Sequence, residues 1–469
     1  MTVISAASLR GFRTRHIRLL LMLFLLFVIF SLFVVFHQNS SPDTGISSGY
    51  ICRECNVILI SVDALRKDHL SIFGYSRDTS PNIDYFFREG IQFTNHFSQS
   101  TNTLPSHMSL FTSLYPQDHG VMLLTDPPLK KEAVTLAELL KAQGYHTAAL
   151  YDGSDHLAPM HGFDQGFDTY SPRGWLREDV KHFVSQLLDQ DQKFFLFLHP
   201  LSPHDPYYAQ EEYAQLFVDP NYSGKIVSDP VIYAAMSYVD GSHFFWNAVD
   251  YNAPQDIQHL QDLYDAKLRW ADSILGDVFD KLRASGRLQN TIVILTADHG
   301  EEFQEHGEFL HRQLYDEVIR VPLLIAIPGE KRGIVVSALT QAIDVAPTIL
   351  DLVDLEQEYG FAGKSMLPLL VGDQAKVHDF VLSQWSNMTA VRTQEWKLIT
   401  VNGLPEELYN LAKDPSELTN VIHSFPDVVN SLTRDLKEVL GEVKYDYTVP
   451  AGLKIPEEQR EKLIREGYF

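Results

Sequence analysis

The chain has 469 residues, of which 45% are hydrophobic and 12% aromatic, so it can bury a large core and does not have the composition of a disordered protein. Its formal net charge is −23; residues 1–36 contain four arginines and no acidic residue, so the remainder carries −27. A body of that charge repels a phosphate backbone, which argues against nucleic acid as a partner.

The first predicted element is a membrane-spanning helix over residues 19–36, which are apolar except for Ser31. At about 1.5 Å per residue this segment spans roughly 27 Å of hydrocarbon. Arginines precede it and none follows directly, so we expect residues 1–18 to be a cytoplasmic stub and the rest of the chain to be extracytoplasmic. A cleaved signal peptide is the alternative, but the apolar run is too long and no small-residue cleavage site follows it.

Residues 37–55, rich in Ser and Gly, are predicted to be a tether between the membrane and the folded domain. The only two cysteines, Cys52 and Cys55, lie at its end, so the chain alone cannot build a disulfide framework or a four-thiolate zinc site. In an oxidising compartment the pair could close a small disulfide loop; a redox site is the alternative, without the βα context that such sites have.

From residue 56 onward, short apolar runs at 57–62, 147–150, 194–198, 291–296 and 321–327 alternate with helical patterns at 135–143 and 258–284. This alternation predicts an α/β fold with a central, mostly parallel sheet flanked by helices, which we assign to a catalytic domain over residues 56–370. Beyond it, short strands at 380–383, 389–392 and 396–401 precede a helix at 427–440. We therefore predict a small C-terminal α+β subdomain with a polar tail over residues 371–469.

Polar residues follow three of the predicted strands: Asp63, then His199 and His204, and then the pair Asp298 and His299. Ligands of open α/β sheets bind outside the carboxyl ends of the strands, so these side chains are candidates for a site. Pro105 suits the first turn of a helix and places Thr103 at the helix N-terminus, where free N–H groups can hold an anion.

From Asn56 to about residue 423 the chain resembles the sulfatases of the alkaline phosphatase superfamily. The matching segments include Val62-Asp63-Ala-Leu-Arg66, Thr103-Leu-Pro-Ser-His107, Tyr115-Pro-Gln-Asp-His119-Gly, Pro203-His204-Asp-Pro-Tyr, Asp298-His299-Gly-Glu, Arg320-Val-Pro-Leu, Asp344-Val-Ala-Pro-Thr, Gly363-Lys-Ser-Met-Leu-Pro and Leu408-Tyr-Asn-Leu. Their order and spacing together are highly specific. The resemblance implies an alkaline-phosphatase-like fold.

The resemblance also implies one divalent metal ion, held by Asp63, Thr103, Asp298 and His299. Sulfatases usually have a second Asp where this chain has Ala64, and an Asn where it has His299. The ligand set has thus lost a carboxylate and gained an imidazole, which favours Mn²⁺ or Zn²⁺ over Ca²⁺ or Mg²⁺.

The nucleophile position differs more strongly from the sulfatase pattern. The resembling sulfatases carry a Cys, or sometimes a Ser, that is oxidised to formylglycine, where this chain has Thr103. Thr103 cannot form that aldehyde, since a secondary alcohol oxidises to a ketone. A threonine alkoxide is still a competent nucleophile, and in this superfamily such threonines occur in phosphodiesterases and phosphoethanolamine transferases. His107 replaces the usual Arg, while His204 and His311 match substrate-contacting positions of sulfatases.

These observations predict a membrane-anchored, metal-dependent, sulfatase-like hydrolase of sulfuric or phosphoric esters, with Thr103, His107, His204 and His311 as catalytic residues. Its substrate would be an anionic ester on a glycan, a lipid or a small molecule. Two alternatives stay open: a phosphoryl-group transferase of the phosphoethanolamine type acting on envelope lipid or glycan, and a glycan-binding pseudoenzyme. For His119, His199 and His306 we expect structural roles.

Overall fold

The computed structural model describes residues 50–441 except 173–175, 230, 233–235, 237, 331 and 356–358. The predicted stub, the membrane-spanning helix, most of the tether and the end of the tail lie outside these residues. Among the residues it describes, no helix combines the length and the apolar character needed to cross a membrane.

The strands are β1 Asn56–Val62, β2 Ile91–Phe97, β3 His146–Tyr151, β4 Thr169–Pro172, β5 Phe194–His199, β6 Thr291–Ala297, β7 Glu302–Phe303, β8 Phe309–Leu310, β9 Arg320–Ala326, β10 Ile334–Val336, β11 Thr340–Gln341, β12 Val381–Trp385, β13 Met388–Arg392, β14 Trp396–Val401 and β15 Leu404–Asn410. The helices are α1 Pro81–Phe87, α2 Thr103–Thr112, α3 Pro116–His119, α4 Leu136–Ala142, α5 Arg177–Leu188, α6 Glu211–Phe217, α7 Tyr238–Trp246, α8 Pro254–Ala284, α9 Asp316–Ile319, α10 Val345–Leu352, α11 Leu367–Val371 and α12 Pro426–Leu440. Short 3₁₀ turns connect several of them.

The central sheet has the strand order β10-β2-β9-β6-β1-β5-β3-β4, with β11 beside β2. Most neighbours are parallel, which confirms the predicted α/β class with a mostly parallel sheet. Strand β9 is the exception, because it runs antiparallel to both β6 and β2. The sequence predicts this strand from its apolar residues, but composition does not reveal its direction.

Strand β1 lies in the middle of the sheet and is buried on both faces along its whole length. It pairs in parallel with β5 on one side and β6 on the other, so Ile60 lies opposite Leu198 and Leu295. The carboxyl ends of the three strands therefore lie side by side. This register brings together Asp63 and Asp298, which follow β1 and β6, and His199, the last residue of β5.

The helices cover the sheet in the way that the sequence pattern predicts. The side chain of Thr135 accepts a hydrogen bond from the Glu138 amide, and the Glu138 side chain accepts one from the Thr135 amide, so the predicted capping box is present at the start of α4. Helix α8 buries an apolar stripe that includes Leu260, Leu263 and Leu268 in the main core.

The C-terminal sheet is antiparallel, in the order β12-β13-β14-β15, and α12 packs on it through Leu432, Leu436 and Leu440. The sequence analysis does not predict β15, although Asn402 and Gly403, both with positive φ, form the tight turn that precedes it. The division of the chain at residue 370 remains a prediction.

A buried ion cluster joins the C-terminal sheet to the segment before β9. Lys397 of β14 is fully buried, and its Nζ lies 2.8 Å from Asp316 Oδ1 and 2.7 Å from Glu417 Oε1. The same Nζ donates a 3.0 Å hydrogen bond to the carbonyl of Leu314, and Arg392 also pairs with Asp316. These contacts hold residues 314–316, only a few positions after His311, against the sheet.

We expect Lys397→Met to lower the free energy of unfolding by about 3 to 5 kcal/mol, because it leaves buried carboxylates without their cation. Urea denaturation monitored by circular dichroism measures the change. Lys181→Met, which removes one partner of the exposed pair with Glu178, is the matched control and should cost less than about 1 kcal/mol. The double variant Lys397→Met/Glu417→Gln should be more stable than Lys397→Met alone; equal losses for the buried and exposed lysines would contradict this assignment.

Candidate active site

The candidate site lies at the carboxyl ends of β1, β5 and β6, where Asp63, Asp298 and His299 are all buried. Thr103 is the first residue of α2 and is also buried, with 5% of its surface exposed. The sheet register brings the acids and His299 together, and the loop after β2 delivers the N-terminus of α2 to the same place. The structure thus brings together the four predicted metal ligands.

The ring nitrogen Nε2 of His299 is the point on which these groups converge. It lies 3.6 Å from Asp63 Oδ1, 3.5 Å from Asp298 Oδ2 and 3.4 Å from Thr103 Oγ1. A tetrahedron with metal–ligand bonds of about 2.1 Å has edges of about 3.4 Å. The donor atoms are therefore spaced as the ligands of one cation are.

The two carboxylates lack the partners that buried acids normally have. Among the described residues, neither Asp63 Oδ1 nor Asp298 Oδ2 has a hydrogen-bond partner, and both atoms are buried. Burial and the negative charge of Asp298 raise the pKa of Asp63. A divalent cation would remove this repulsion, so these residues fit such an ion.

Backbone hydrogen bonds fix the orientation of the donor atoms. Oδ1 of Asp298 accepts from the amides of Ala64, at 3.2 Å, and His299, at 2.9 Å, which leaves Oδ2 to face the cluster. His299 Nδ1 donates to the carbonyl of Gly300 at 2.9 Å, so its Nε2 presents a lone pair. Burial lowers the pKa of His299, which keeps this nitrogen available to a metal.

His107 lies one turn into α2, beneath Thr103. Its Nδ1 donates to the carbonyl of Thr103 at 2.8 Å, and its Nε2 lies 2.9 Å from Ser61 Oγ. Burial lowers the pKa of His107 to about 3, so the ring is neutral. With both nitrogens engaged, His107 positions the first turn of α2; direct participation in catalysis stays a prediction.

His204 and His311 lie on the other side of His299. The His311 ring stacks on His299 with a centroid separation of 4.1 Å, and the His204 ring lies 5.2 Å from His311. Burial lowers the pKa of His311 to about 3. For His204 the effect of burial is outweighed by the charges of Asp63 and Asp205, which raise its pKa. The structure therefore groups one charged and one neutral imidazole beside the candidate metal ligands.

Sequence reasoning missed two further residues in this region. Glu301 is fully buried, its Oε1 lies 3.4 Å from His311 Nδ1, and burial raises its pKa to about 7. Burial, together with the nearby charge of His204, lowers the pKa of His156 to about 3. His156 follows the carboxyl end of β3, so the rule that identified Asp63 and Asp298 could have found it.

The three histidines expected to be structural differ in their surroundings. His119 accepts from the amide of Val121 at 3.1 Å and lies 3.2 Å from Ser109 Oγ. His306 stacks on Tyr315 and pairs with Glu317. His199 instead lies within the candidate site, where its Nε2 is 3.6 Å from Asp63 Oδ2.

Known proteins resemble this chain over most of its length. A sequence profile described as "Sulfatase" matches residues 55–355, and a profile described as "N-sulphoglucosamine sulphohydrolase, C-terminal" matches residues 304–446. Arylsulfatase K of Gallus gallus is 26% identical over 456 residues, which cover 84% of each chain.

Two solved structures share the fold. The phosphonate monoester hydrolase of Agrobacterium radiobacter has a TM-score of 0.70 at 22% identity, over 82% of this chain and 95% of its own. A protein solved in complex with its substrate D-glucosamine-2-N,6-O-disulfate has a TM-score of 0.70 at 21% identity, over 85% of this chain and 99% of its own. At these identities the likeness establishes the fold alone.

The buried His119 predicts a component of acid sensitivity. Burial lowers its pKa to about 3, below the ordinary value of 6.5. Between these values the unfolded chain binds a proton that the folded chain does not, so the stability that His119 contributes is lost as the pH falls from 6.5 toward 3. We expect His119→Gln to reduce the slope of unfolding free energy against pH by up to about 1.4 kcal/mol per pH unit.

Urea titrations at pH 6.5, 5.5 and 4.5 in the presence of a chelator measure this slope. His182→Gln is the control, because His182 is exposed and its removal should leave the slope unchanged. A His119→Gln slope equal to that of the wild type would show that His119 is not held neutral.

Proposed function

Because this chain belongs to the sulfatase family of ester hydrolases, we propose that it hydrolyses sulfuric or phosphoric esters with Thr103 as the nucleophile. The observation that carries the proposal is the position of Thr103 Oγ1, at the N-terminus of α2 and 3.4 Å from His299 Nε2. The hydroxyl therefore lies beside the candidate metal ligands and at the positive end of a ten-residue helix.

A cation fits between Asp63, Asp298, His299 and Thr103, for the reasons of spacing and missing partners given above. When bound, a divalent cation would neutralise the charge of the ester oxygens and favour the ionised form of the hydroxyl. The mixture of carboxylate and imidazole donors supports Zn²⁺ or Mn²⁺ over Ca²⁺ or Mg²⁺.

The chain's own residues would bind the ester, attack it and transfer protons. The free N–H groups at the start of α2 bind the anionic ester oxygens. Thr103 Oγ1 attacks phosphorus or sulfur in line, forming the new ester bond while the bond to the leaving oxygen breaks. His204, whose pKa is raised, can give that oxygen a proton. It can take a proton back from the water that then attacks the phosphorus or sulfur and breaks the bond to Thr103.

Threonine shifts the chemistry from sulfate toward phosphate. The formylglycine route is closed to Thr103 on covalent grounds, and the two cysteines, Cys52 and Cys55, form a disulfide with each other. What remains is a hydroxyl nucleophile that forms a stable ester with phosphorus. The phosphonate monoester hydrolase among the similar folds is consistent with attack on phosphorus.

For the substrate, we propose an anionic ester on a glycan, with a lipid or small-molecule ester as the other candidates. The similar fold solved with a glucosamine disulfate supports a glycan. The arginine-flanked apolar segment at residues 19–36 supports a single-pass membrane anchor with the catalytic domain outside the cytoplasm. A transferase would use the same Thr103 and pass the phosphoryl group to an alcohol instead of water.

We expect Thr103→Ala to reduce the rate of aryl phosphate or aryl sulfate hydrolysis by at least about 10³-fold, because the attacking oxygen is removed. Thr112→Ala is the matched control: Thr112 ends the same helix, its hydroxyl donates to the carbonyl of Met108, and its loss should leave the rate unchanged. Thr103→Ser should keep part of the activity.

Intact mass spectrometry of the wild type during turnover should show a covalent phosphate adduct that maps to Thr103. An alcohol acceptor added to the reaction separates hydrolase from transferase by the product formed. Full sulfate ester turnover by Thr103→Ala would contradict the nucleophile assignment, and no turnover of any ester by the wild type would favour a glycan-binding pseudoenzyme.

We expect Zn²⁺ or Mn²⁺ to raise the melting temperature of the wild type, since a ligand that binds only the folded state at 100 times its Kd stabilises by about 2.7 kcal/mol. Asp63→Asn and Asp298→Asn should each abolish the shift. Asp189→Asn, at an exposed position, should retain it. If neither Zn²⁺ nor Mn²⁺ changes the melting temperature of the wild type, the proposed cation site is wrong.

A further inference from the structure

His199 differs from His107 and His119 in how its ring nitrogens are used. It is the last residue of β5 and is fully buried. Its Nδ1 donates a 2.7 Å hydrogen bond to the carbonyl of Ser61, which fixes the tautomer. In the part of the chain that the structure describes, Nε2 has no hydrogen-bond partner.

Two other buried histidines have partners for both ring nitrogens. For His107 these are Thr103 and Ser61, and for His119 they are Ser109 and Val121. Nε2 of the buried His96 is also unpartnered, so a missing hydrogen bond does not by itself mark a ligand. What distinguishes Nε2 of His199 is the carboxylate of Asp63 that faces it.

The unpartnered Nε2 faces the metal ligands. It lies 3.6 Å from Asp63 Oδ2, which is longer than a hydrogen bond but the same as the separation of His299 Nε2 from Asp63 Oδ1. The Asp63 carboxylate therefore lies between two imidazoles, one at each oxygen. A ring nitrogen of His199 also lies within 4.8 Å of an oxygen of Asp298.

We propose that His199 is a further ligand of the metal centre, binding through Nε2 beside Asp63. The carbonyl of Ser61 orients the ring, as the carbonyl of Gly300 orients His299. Two imidazoles and two carboxylates make a site for a borderline divalent cation such as Zn²⁺, Co²⁺ or Mn²⁺. This inference rests on the metal centre of the proposed function and adds a ligand to it.

The test compares three forms of the full chain: wild type, His199→Gln and His199→Cys, with His119→Gln as the matched control. Zn²⁺ affinity is measured by competition with a chromophoric chelator, and the Co²⁺ forms are examined by visible absorption. We expect His199→Gln to weaken Zn²⁺ binding at least about tenfold and to change the Co²⁺ spectrum, while His119→Gln changes neither.

His199→Cys tests the same role through a spectroscopic band that is gained, whereas His199→Gln tests it through weaker metal binding. A thiolate at position 199 that binds the ion should produce a sulfur-to-cobalt charge-transfer band, and Zn²⁺ affinity should be kept. Absence of that band, or Zn²⁺ affinity and Co²⁺ spectrum unchanged in His199→Gln, overturns the role of His199 while the proposed function stands. If the wild type binds neither Zn²⁺ nor Co²⁺, the proposed metal centre is wrong, and so is the role of His199 as its ligand.

Discussion

Two buried carboxylates pointing into one space are the constraint that organises this protein. Asp63 and Asp298 are placed there by parallel pairing of β1 with β6, and within the described residues neither inward-facing oxygen has a hydrogen-bond donor. Burying such charges without compensation is strongly unfavourable. The imidazoles of His199 and His299 and the N-terminus of α2 around them are the elements that such a pair requires, and each is placed by the sheet or by the loop after β2.

The C-terminal sheet contributes to this site although its own strands supply none of the predicted catalytic or metal-binding side chains. His311 stacks on His299, and the chain that follows it is held at residues 314–316 by the buried Lys397. A neutral apolar contact would allow this segment to slide, whereas the charge pairs and the carbonyl contact fix both its direction and its register. The sheet therefore sets where one wall of the site can lie.

Much of the fold and the positions of several candidate site residues could be predicted from sequence, because buried parallel strands are long apolar runs and their ends are marked by the polar residues that follow. Strands β1, β5 and β6 and the residues Asp63, Asp298 and His299 were found in this way. Strand β2 was not, because polar residues interrupt its sequence and it does not form a continuous apolar run, and the direction of β9 has no local signature. In the sequence, the roles of Asp63, Asp298 and His299 as metal ligands are implied only by the resemblance to sulfatases. The difference between His199 and His119 lies in which ring nitrogen finds a partner, and that is decided by distant backbone atoms.

The substitutions that distinguish this site from those of the resembling sulfatases remove positive charge. The resembling sulfatases have a permanently charged Arg or Lys where this chain has His107 and His311, and burial lowers the pKa of both histidines to about 3, so both are neutral near pH 7. In a body of net charge −27, the sources of positive potential for an anionic ester then include His204, the N-terminus of α2 and any bound cation. Substrate binding should consequently depend on the metal more strongly than in a site lined by arginine and lysine.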